Sequence, residues 1–468
     1  MIRFSFVLLL GATLFLGNLQ AQNQSAAGYW KGTLSVAEMK LNIAITIRNS
    51  ADNFNGNIDI PEQNAMGVPL SKFQLTGSSI HFELETPGKP GRLATFDGII
   101  LDSLLEGTFS QAGVKGSFLL KRTLDPSSAE KSLPYKQEEV SFENGDIRIS
   151  GTLTHPGSIS APAVILISGS GQQNRDEDIF GFKIFKVIAD YFTRGGIAVL
   201  RLDDRGIGQT GGDAVNSTTA DFASDIESAV NFLKTRNDID KSHIGLMGHS
   251  EGGLIAPMVA SKRSDIAFII CMSGVGLKGD SLIMSQFYYS LKNSGVSQKI
   301  FNEQSALQRK ILKAAKSNDW TEITSELKEL FAHDYDKLQD HIKKQMPPRE
   351  KYLDNVVAGR LAQVKSPWFR YFISIDPSLY FEQVKCPVLM MFGDKDRQVF
   401  AEENKDAMIR ALEKGGNKMY TVKIFTGANH LYQNARTGDV LEYSSLPKEF
   451  VPGFLHYTLD WIKQGLKQ

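Results

Sequence analysis

Residues 243–252, HIGLMGHSEG, constrain the fold of this chain more than any other stretch. An apolar run leads straight into G-x-S-x-G, and Leu254, Ile255, Pro257, Met258, Val259 and Ala260 continue beyond it as a helix-compatible segment. A strand that turns this sharply into a helix holds Ser250 on a strained corner, with its hydroxyl exposed and the following N–H aimed at a reacting carbonyl oxygen. Small residues at Gly248 and Gly252 let the corner close. Short Gly/Ser patterns arise by chance in a chain with 41 glycines, so the strand before the motif and the helix after it carry the reading of a nucleophile elbow.

A serine in that position needs a base, and the base needs an orienting carboxylate, expected downstream in the order acid then histidine. Residues 386–399, CPVLMMFGDKDRQV, read as a buried strand that breaks at Gly393 and presents Asp394 and Asp396 just past its end. Asp396 is the preferred orienter. Residues 419–425 read as a further strand, and the loop TGANH at 426–430 delivers His430 directly after it. Of the eight histidines only His430 and His456 follow Asp396, and His456 sits in a helical pattern over 454–462, so His430 is the predicted base.

The oxyanion of an acyl-transfer intermediate needs two backbone donors. Glu251 N–H follows the serine. The second is expected in the loop SGSGQQNRD at 168–176, which follows the apolar strand at 163–167 and whose glycines permit close backbone approach; Ser170 N–H is preferred, with Gly171 as the alternative.

On these residues the chain resembles the α/β-hydrolase superfamily, and within it secreted bacterial esterases near the serine aminopeptidase group. The resemblance covers about residues 138–468, and its carriers are ISGSG at 167–171, RLDDRGIG at 201–208, GHSEGG at 248–253, GDKD at 393–396 and Asn429-His430. It implies a doubly wound, mostly parallel α/β sheet with a helical cap insertion. It also implies that Asp203 and Arg205 are structural, tying the loop after the fourth strand. Family members often carry His-Gly in the oxyanion loop, where this chain has Ser168-Gly169.

Three function classes are excluded by simple observations. Gly206-Ile-Gly-Gln-Thr-Gly211 matches G-x-G-x-x-G, but the chain stays loop-like through Thr219 instead of opening a helix, so no dinucleotide cofactor is expected. Lys plus Arg equals Asp plus Glu at 52 each, which leaves no basic field for nucleic acid. There is no H-E-x-x-H, and the acids and histidines around 333–341 lie on a charged helical stretch, so no metal is expected.

The N-terminus, Met1-Ile-Arg3, then an apolar run over 4–16 and GNLQA at 17–21, reads as a signal peptide with the mature chain starting near Gln22. An exported, periplasmic or extracellular protein follows, with no membrane span once the leader is removed. Cys271 and Cys386 fall at offset positions in separate strands and are expected to stay unpaired. Residues 26–122 alternate in strand fashion, opened by GYWKG at 28–32, and predict a small all-β barrel or sandwich in which Trp30 and Tyr29 are preferred as core anchors, with a sugar platform as the alternative. A linker at 123–137 leads to the catalytic domain, 138–468. Its cap insertion, 275–384, reads as mostly helical, for example over 298–315 and 320–331, and ends in the aromatic group at 368–372.

The reading these features favour is an exported serine esterase acting on a small-molecule ester. A serine aminopeptidase on the same scaffold and a non-catalytic exported binding protein remain as alternatives. An aminopeptidase would need acids of the cap, such as Glu326, Glu329, Asp334 or Asp336, turned towards Ser250 to hold an ammonium group.

Overall fold

The computed structural model describes residues 26–466 apart from 37–38, 51–52, 61–64, 86–92, 112, 124–132, 159, 340–342 and 344–345. The leader at 1–21 and most of the linker at 123–137 lie outside the described residues. The chain divides into two compact units, Met1–Leu133 and Pro134–Gln468.

The first unit is a single nine-stranded sheet. Its strands are β1 (Gly28–Val36), β2 (Met39–Ser50), β3 (Asn53–Ile60), β4 (Ala65–Pro69), β5 (Ser71–Thr76), β6 (Ser79–Glu85), β7 (Leu93–Leu101), β8 (Leu104–Gln111) and β9 (Val114–Thr123). The order is β4-β3-β2-β1-β9-β8-β7-β6-β5, so meanders on both sides are joined by the antiparallel β1/β9 pair. The period-2 pattern buries Ile43, Ile45, Ile47, Phe82, Phe96 and Phe118 on one face, while Leu41 and Leu84 of the same alternation are only half-buried. Leu70 N–H, between β4 and β5, reaches the Gly56 carbonyl of β3 at 2.9 Å, and the sheet curls into a nearly closed barrel rather than a two-sheet sandwich. Trp30 is fully buried in this core, its indole N–H donating to the Ala26 carbonyl at 3.0 Å and the Arg122 guanidinium lying 4.4 Å over the ring.

The second unit is built on an eight-stranded sheet. Its strands are β10 (Lys136–Asn144), β11 (Ile147–His155), β12 (Ala161–Ile167), β15 (Ala198–Leu202), β16 (Ile239–His249), β17 (Ile269–Met272), β18 (Val388–Gly393) and β19 (Tyr420–Phe425), with a small hairpin of β13 (Asp178–Ile179) and β14 (Phe182–Lys183) outside it. The order is β10-β11-β15-β12-β16-β17-β18-β19; β11 runs antiparallel to β10 and β15, and every pairing from β15 to β19 is parallel. Parallel strands covered on both faces become continuously apolar. In β12, Ala163, Ile165 and Ile167 enter one core while Val164 and Leu166 enter the other.

The helices are α1 (Ile184–Arg194), α2 (Thr219–Thr235), α3 (Gly252–Ala260), the cap helices α4 (Gly279–Asn293), α5 (Gln298–Ser317), α6 (Thr321–Asp336), α7 (Arg349–Ala362), α8 (Pro367–Phe372) and α9 (Ser378–Phe381), then α10 (Ala401–Lys414) and α11 (Phe454–Gly465). Apolar faces of α2, α3 and α10 pack on one side of the sheet, and those of α1 and α11 on the other. The cap has a core of its own, formed by Ile311, Ile323, Leu327, Val357 and Leu361. Cys271 faces Met390 in the β17/β18 register, four positions beyond Cys386, and both thiols are free. Among the described residues no helix is long and apolar enough to cross a membrane.

The strand-to-helix corner at 248–252 leaves no room for side chains at its glycines. A Cβ on Gly248 would lie 1.9 Å from the Gly252 carbonyl oxygen, and one on Gly252 would lie 2.1 Å from the Ile167 carbonyl oxygen. Both obstacles are backbone. Gly252→Ala is therefore expected to cost more than about 2 kcal/mol of stability, read as a fall in the denaturant midpoint; an unchanged midpoint would mean that the corner is not close-packed.

Candidate active site

Ser250 leaves β16 with φ +54, a left-handed conformation that a non-glycine residue adopts only under constraint. Its N–H donates to the Met272 carbonyl at 2.8 Å and its carbonyl accepts from Gly253 N–H at 3.0 Å, which pins the corner between β17 and α3. Glu251 is the N-cap of α3, so its N–H points out of a helix start.

The two other residues singled out by chain order meet. His430 Nδ1 lies 2.8 Å from Asp396 Oδ2, and both side chains are almost completely buried. The second oxygen of Asp396 accepts from the N–H groups of Gln398 and Val399 at 2.8 and 2.9 Å. Burial alone would raise the Asp396 carboxyl, but the His430 imidazole and the two N–H groups hold it below its ordinary value. Asp394, the rejected candidate, instead accepts from Gly427 N–H at 2.7 Å. The His430 loop is folded by Asn429, whose carboxamide oxygen accepts from Leu431 and Gln433 N–H at 3.0 and 2.9 Å.

Ser250, Glu251, His430, Gly169 and Ser170 line one cavity of about 430 Å³ at the carboxyl ends of the strands. The oxyanion loop passes close to the serine: a Cβ on Gly169 would sit 3.2 Å from Ser250 Cβ. Gly169 N–H is already used, donating to Glu177 Oε1 at 2.7 Å. Neither Ser170 N–H nor Glu251 N–H has a protein acceptor among the described residues.

The side chain of Glu251 does separate work. Its carboxylate accepts from the Thr219 hydroxyl at 2.7 Å and from the Trp368 indole N–H at 2.9 and 3.0 Å, which ties the cap to the corner. Burial raises this carboxyl, against the Thr219, Trp368 and Ser170 hydrogen bonds. Trp368 stacks on Phe372 at 5.3 Å, and with Phe369, Val275, Leu282 and Ile283 these rings form the apolar wall of the cavity. The cap aromatics thus both pack and line the site. Of the cap acids, Glu326 bonds Lys310 and Asp336 bonds Arg349, and neither lines the cavity, nor does Glu329; the Asp334 side chain lies outside the described residues.

Asp203 and Arg205 do not pair with one another. Arg205 bonds Asp225 of α2 at 2.7 and 2.9 Å, and Asp203 receives the Arg175 guanidinium and backbone N–H, at 2.6 to 3.1 Å, which anchors the oxyanion loop. The glycine run at 206–211 is a turn, with Gly206 N–H donating to the Gly211 carbonyl, and α2 starts only at Thr219. No group of residues suited to a metal ion occurs among the described residues. Three groups had no signal in the sequence: Glu177, His249 and Asp204. His249 was legible only as a letter inside the motif, and the two acids lie in polar loops whose burial depends on tertiary structure.

A parallel sheet of this order, with one antiparallel strand beside its first, a strained serine corner after the fifth strand and acid and histidine loops after later ones, has the α/β-hydrolase fold. The family model for serine aminopeptidase S33 matches residues 182–346, and that for the prolyl oligopeptidase family matches 349–447. The chain is similar to esterase EstD of Thermotoga maritima, 27% identical over 325 residues that span 68% of this chain and 66%, just under two thirds, of that esterase. An uncharacterized 31.7 kDa protein of Escherichia coli from the traX-finO intergenic region is 24% identical over 266 residues, 56% of this chain and 82% of its own. Among solved structures, the α/β hydrolase GrgF of Penicillium sp. sh18 aligns with TM-score 0.44 at 16% identity, over 71% of this chain and 100% of that one. The Pyrococcus furiosus esterase Pf2001 aligns with TM-score 0.42 at 15% identity, over 74% and 96%.

The oxyanion loop also rests on Asp204, which accepts from the Ser168 hydroxyl at 2.6 Å and from Gln173 N–H at 2.9 Å. Burial pushes this carboxyl up to about 7, against those two hydrogen bonds, and the charges of Glu177 and Glu251 add to the rise. A carboxyl raised above its ordinary 3.8 contributes stability that is present below that value and lost as pH rises through about 7. The thermal midpoint is expected to fall across that interval, and Asp204→Asn to flatten the slope. Identical slopes in the two proteins would remove Asp204 as the cause.

Proposed function

We propose that this chain is an exported hydrolase of carboxylic esters that works through Ser250, His430 and Asp396. The observation that carries the reading is the buried Asp396–His430 pair, 2.8 Å apart, opening on the cavity that Ser250 lines. His430 Nε2 removes the Ser250 proton, Oγ attacks the ester carbonyl, and the developing oxyanion is held by the N–H groups of Glu251 and Ser170. Collapse breaks the ester C–O bond, and the alcohol leaves with the proton held by His430. Water then attacks the acyl-enzyme, passing a proton to the same imidazole, and His430 delivers that proton to Ser250 Oγ as the acid departs. Asp396 fixes the His430 tautomer and stabilises its cation. No cofactor or metal is required.

The cavity favours an ester over an aminopeptidase substrate. Among the described lining residues two are acids: Glu177, which is fully buried and bonded to His249 and Gly169 through one oxygen, and Glu251, which is buried and bonded to Thr219 and Trp368. Apart from Gly169, the serines and the two histidines, the other described lining residues are aromatic, aliphatic or neutral amide, such as Gln286, Gln363 and Gln398, and none of them is an acid that could hold a substrate ammonium. A volume of about 430 Å³ suits a short acyl or alcohol group. The similarity to an esterase supports the same reading, and the apolar leader at 4–16 supports export.

Turnover of p-nitrophenyl acetate and butyrate, measured beside aminoacyl-p-nitroanilides, tests this assignment. Ester hydrolysis is expected, with Ser250→Ala lowering kcat by roughly 10⁴- to 10⁶-fold and Asp396→Asn by roughly 10⁴-fold. Anilide cleavage without ester cleavage would transfer the assignment to a peptidase, and full activity in Ser250→Ala would end the covalent mechanism.

A further inference from the structure

Directly behind the proposed base lies a second carboxylate–imidazole pair that the mechanism above does not use. His249, the residue before Ser250, is 2% exposed, and both of its ring nitrogens meet acceptors. Nδ1 lies 2.9 Å from Glu177 Oε1, and Nε2 lies 2.9 Å from the backbone carbonyl of His430. A carbonyl can only accept, so Nε2 carries a proton; Glu177 Oε1 already accepts Gly169 N–H, and a second proton on Nδ1 would let it accept from the ring as well.

We propose that Glu177 and His249 form a buried carboxylate–imidazolium pair that holds the His430 loop and the oxyanion loop in register with Ser250, both acting as positioning residues. The kinetic part of this inference rests on the ester-hydrolase reading.

Three loops from three strands converge on the pair. Glu177 Oε1 accepts Gly169 N–H from the loop after β12, His249 ends β16, and the carbonyl it engages belongs to the loop after β19. With Gly169 N–H held by Glu177, the neighbouring Ser170 N–H is left for substrate. The His249 and His430 rings lie 4.7 Å apart, so a shift of one imidazole moves the other.

Electrostatics agree with a charged ring. Burial would lower the affinity of His249 for its second proton, yet the Glu177 charge and hydrogen bond, the His430 carbonyl and the more distant Asp396 raise it above the ordinary histidine value. Asp204 feels the Glu177 charge from the oxyanion-loop side.

Glu177 is also costly for a residue that merely fills space. It is fully buried, its backbone sits at φ +45, and its Oε2 has no hydrogen-bond partner. Strained backbone and unpaired buried carboxylate oxygens each destabilise, and persist where the surroundings dictate them.

The test uses the full chain labelled with ¹⁵N-histidine, with His249 assigned by difference from His249→Gln. Both His249 ring nitrogens are expected to be protonated at pH 7.5 in the wild type; a neutral His249 ring would overturn the pair. In kinetics, His249→Phe keeps the ring but removes both donors, and kcat is expected to fall about 10²-fold with KM nearly unchanged. His249→Gln, which retains one donor, is expected to recover part of that loss. A native kcat in His249→Phe, or kcat and KM lost together with a collapsed denaturation midpoint in both variants, would overturn the positioning role. The protonation state is read without substrate, so wild type that ignores esters while His249 is doubly protonated would refute the ester reading and leave the pair standing.

Discussion

The α/β unit depends on one strained residue. Holding Ser250 at φ +54 costs on the order of 1–3 kcal/mol, and the surrounding backbone gives it no alternative. Gly248 touches the start of α3 and Gly252 touches the end of β12, so strand, helix and oxyanion loop meet at near-contact distances around the serine. The same closeness brings Gly169 against Ser250 and directs the N–H groups of Glu251 and Ser170 to one cavity. Strain at the corner and the position of these two N–H groups are two consequences of one packing constraint.

Around this corner the protein buries more charge than a hydrophobic core tolerates unaided. Each of these acids accepts at least two hydrogen bonds, although Glu177 Oε2 is left without a partner. Asp396 is held by His430 and two N–H groups, Glu177 by His249 and Gly169, Asp204 by Ser168 and Gln173, and Glu251 by Thr219 and the cap residue Trp368. These bonds run between loops that leave different strands, so the network locks the geometry of the site as well as satisfying its charges. Glu251 joins two tasks, since its backbone faces the cavity and its side chain anchors the cap.

Much of this was legible in the sequence because the relevant signals are local. The elbow is a run of ten residues, and Asp396 and His430 follow strand patterns whose ends can be read from Gly393 and Gly427. Only two histidines follow the acid, and His430 is the one that lies beside Asp396. Closure of the N-terminal sheet was not legible, since a barrel differs from a sandwich through the β1/β9 pairing and the approach of β3 to the segment before β5, both long-range. Glu177 was invisible for a similar reason: nothing in a polar loop announces that its carboxylate will be fully buried beside a histidine 72 positions away. The β domain extends through Thr123 and the catalytic sheet begins at Lys136, slightly wider on both sides than composition suggested, because strand ends are polar and merge with a linker in sequence.

The claim on which the account stands is that Ser250 becomes covalently acylated. Rapid mixing with p-nitrophenyl butyrate, acid quench and peptide mass mapping would test it directly. A butyryl adduct is expected, about 70 Da heavier than the free residue because a C₄H₇O acyl group replaces one hydrogen, on the peptide containing Ser250 and on no other. Ester turnover with an unmodified Ser250 peptide, or with the adduct on a different residue, would contradict it.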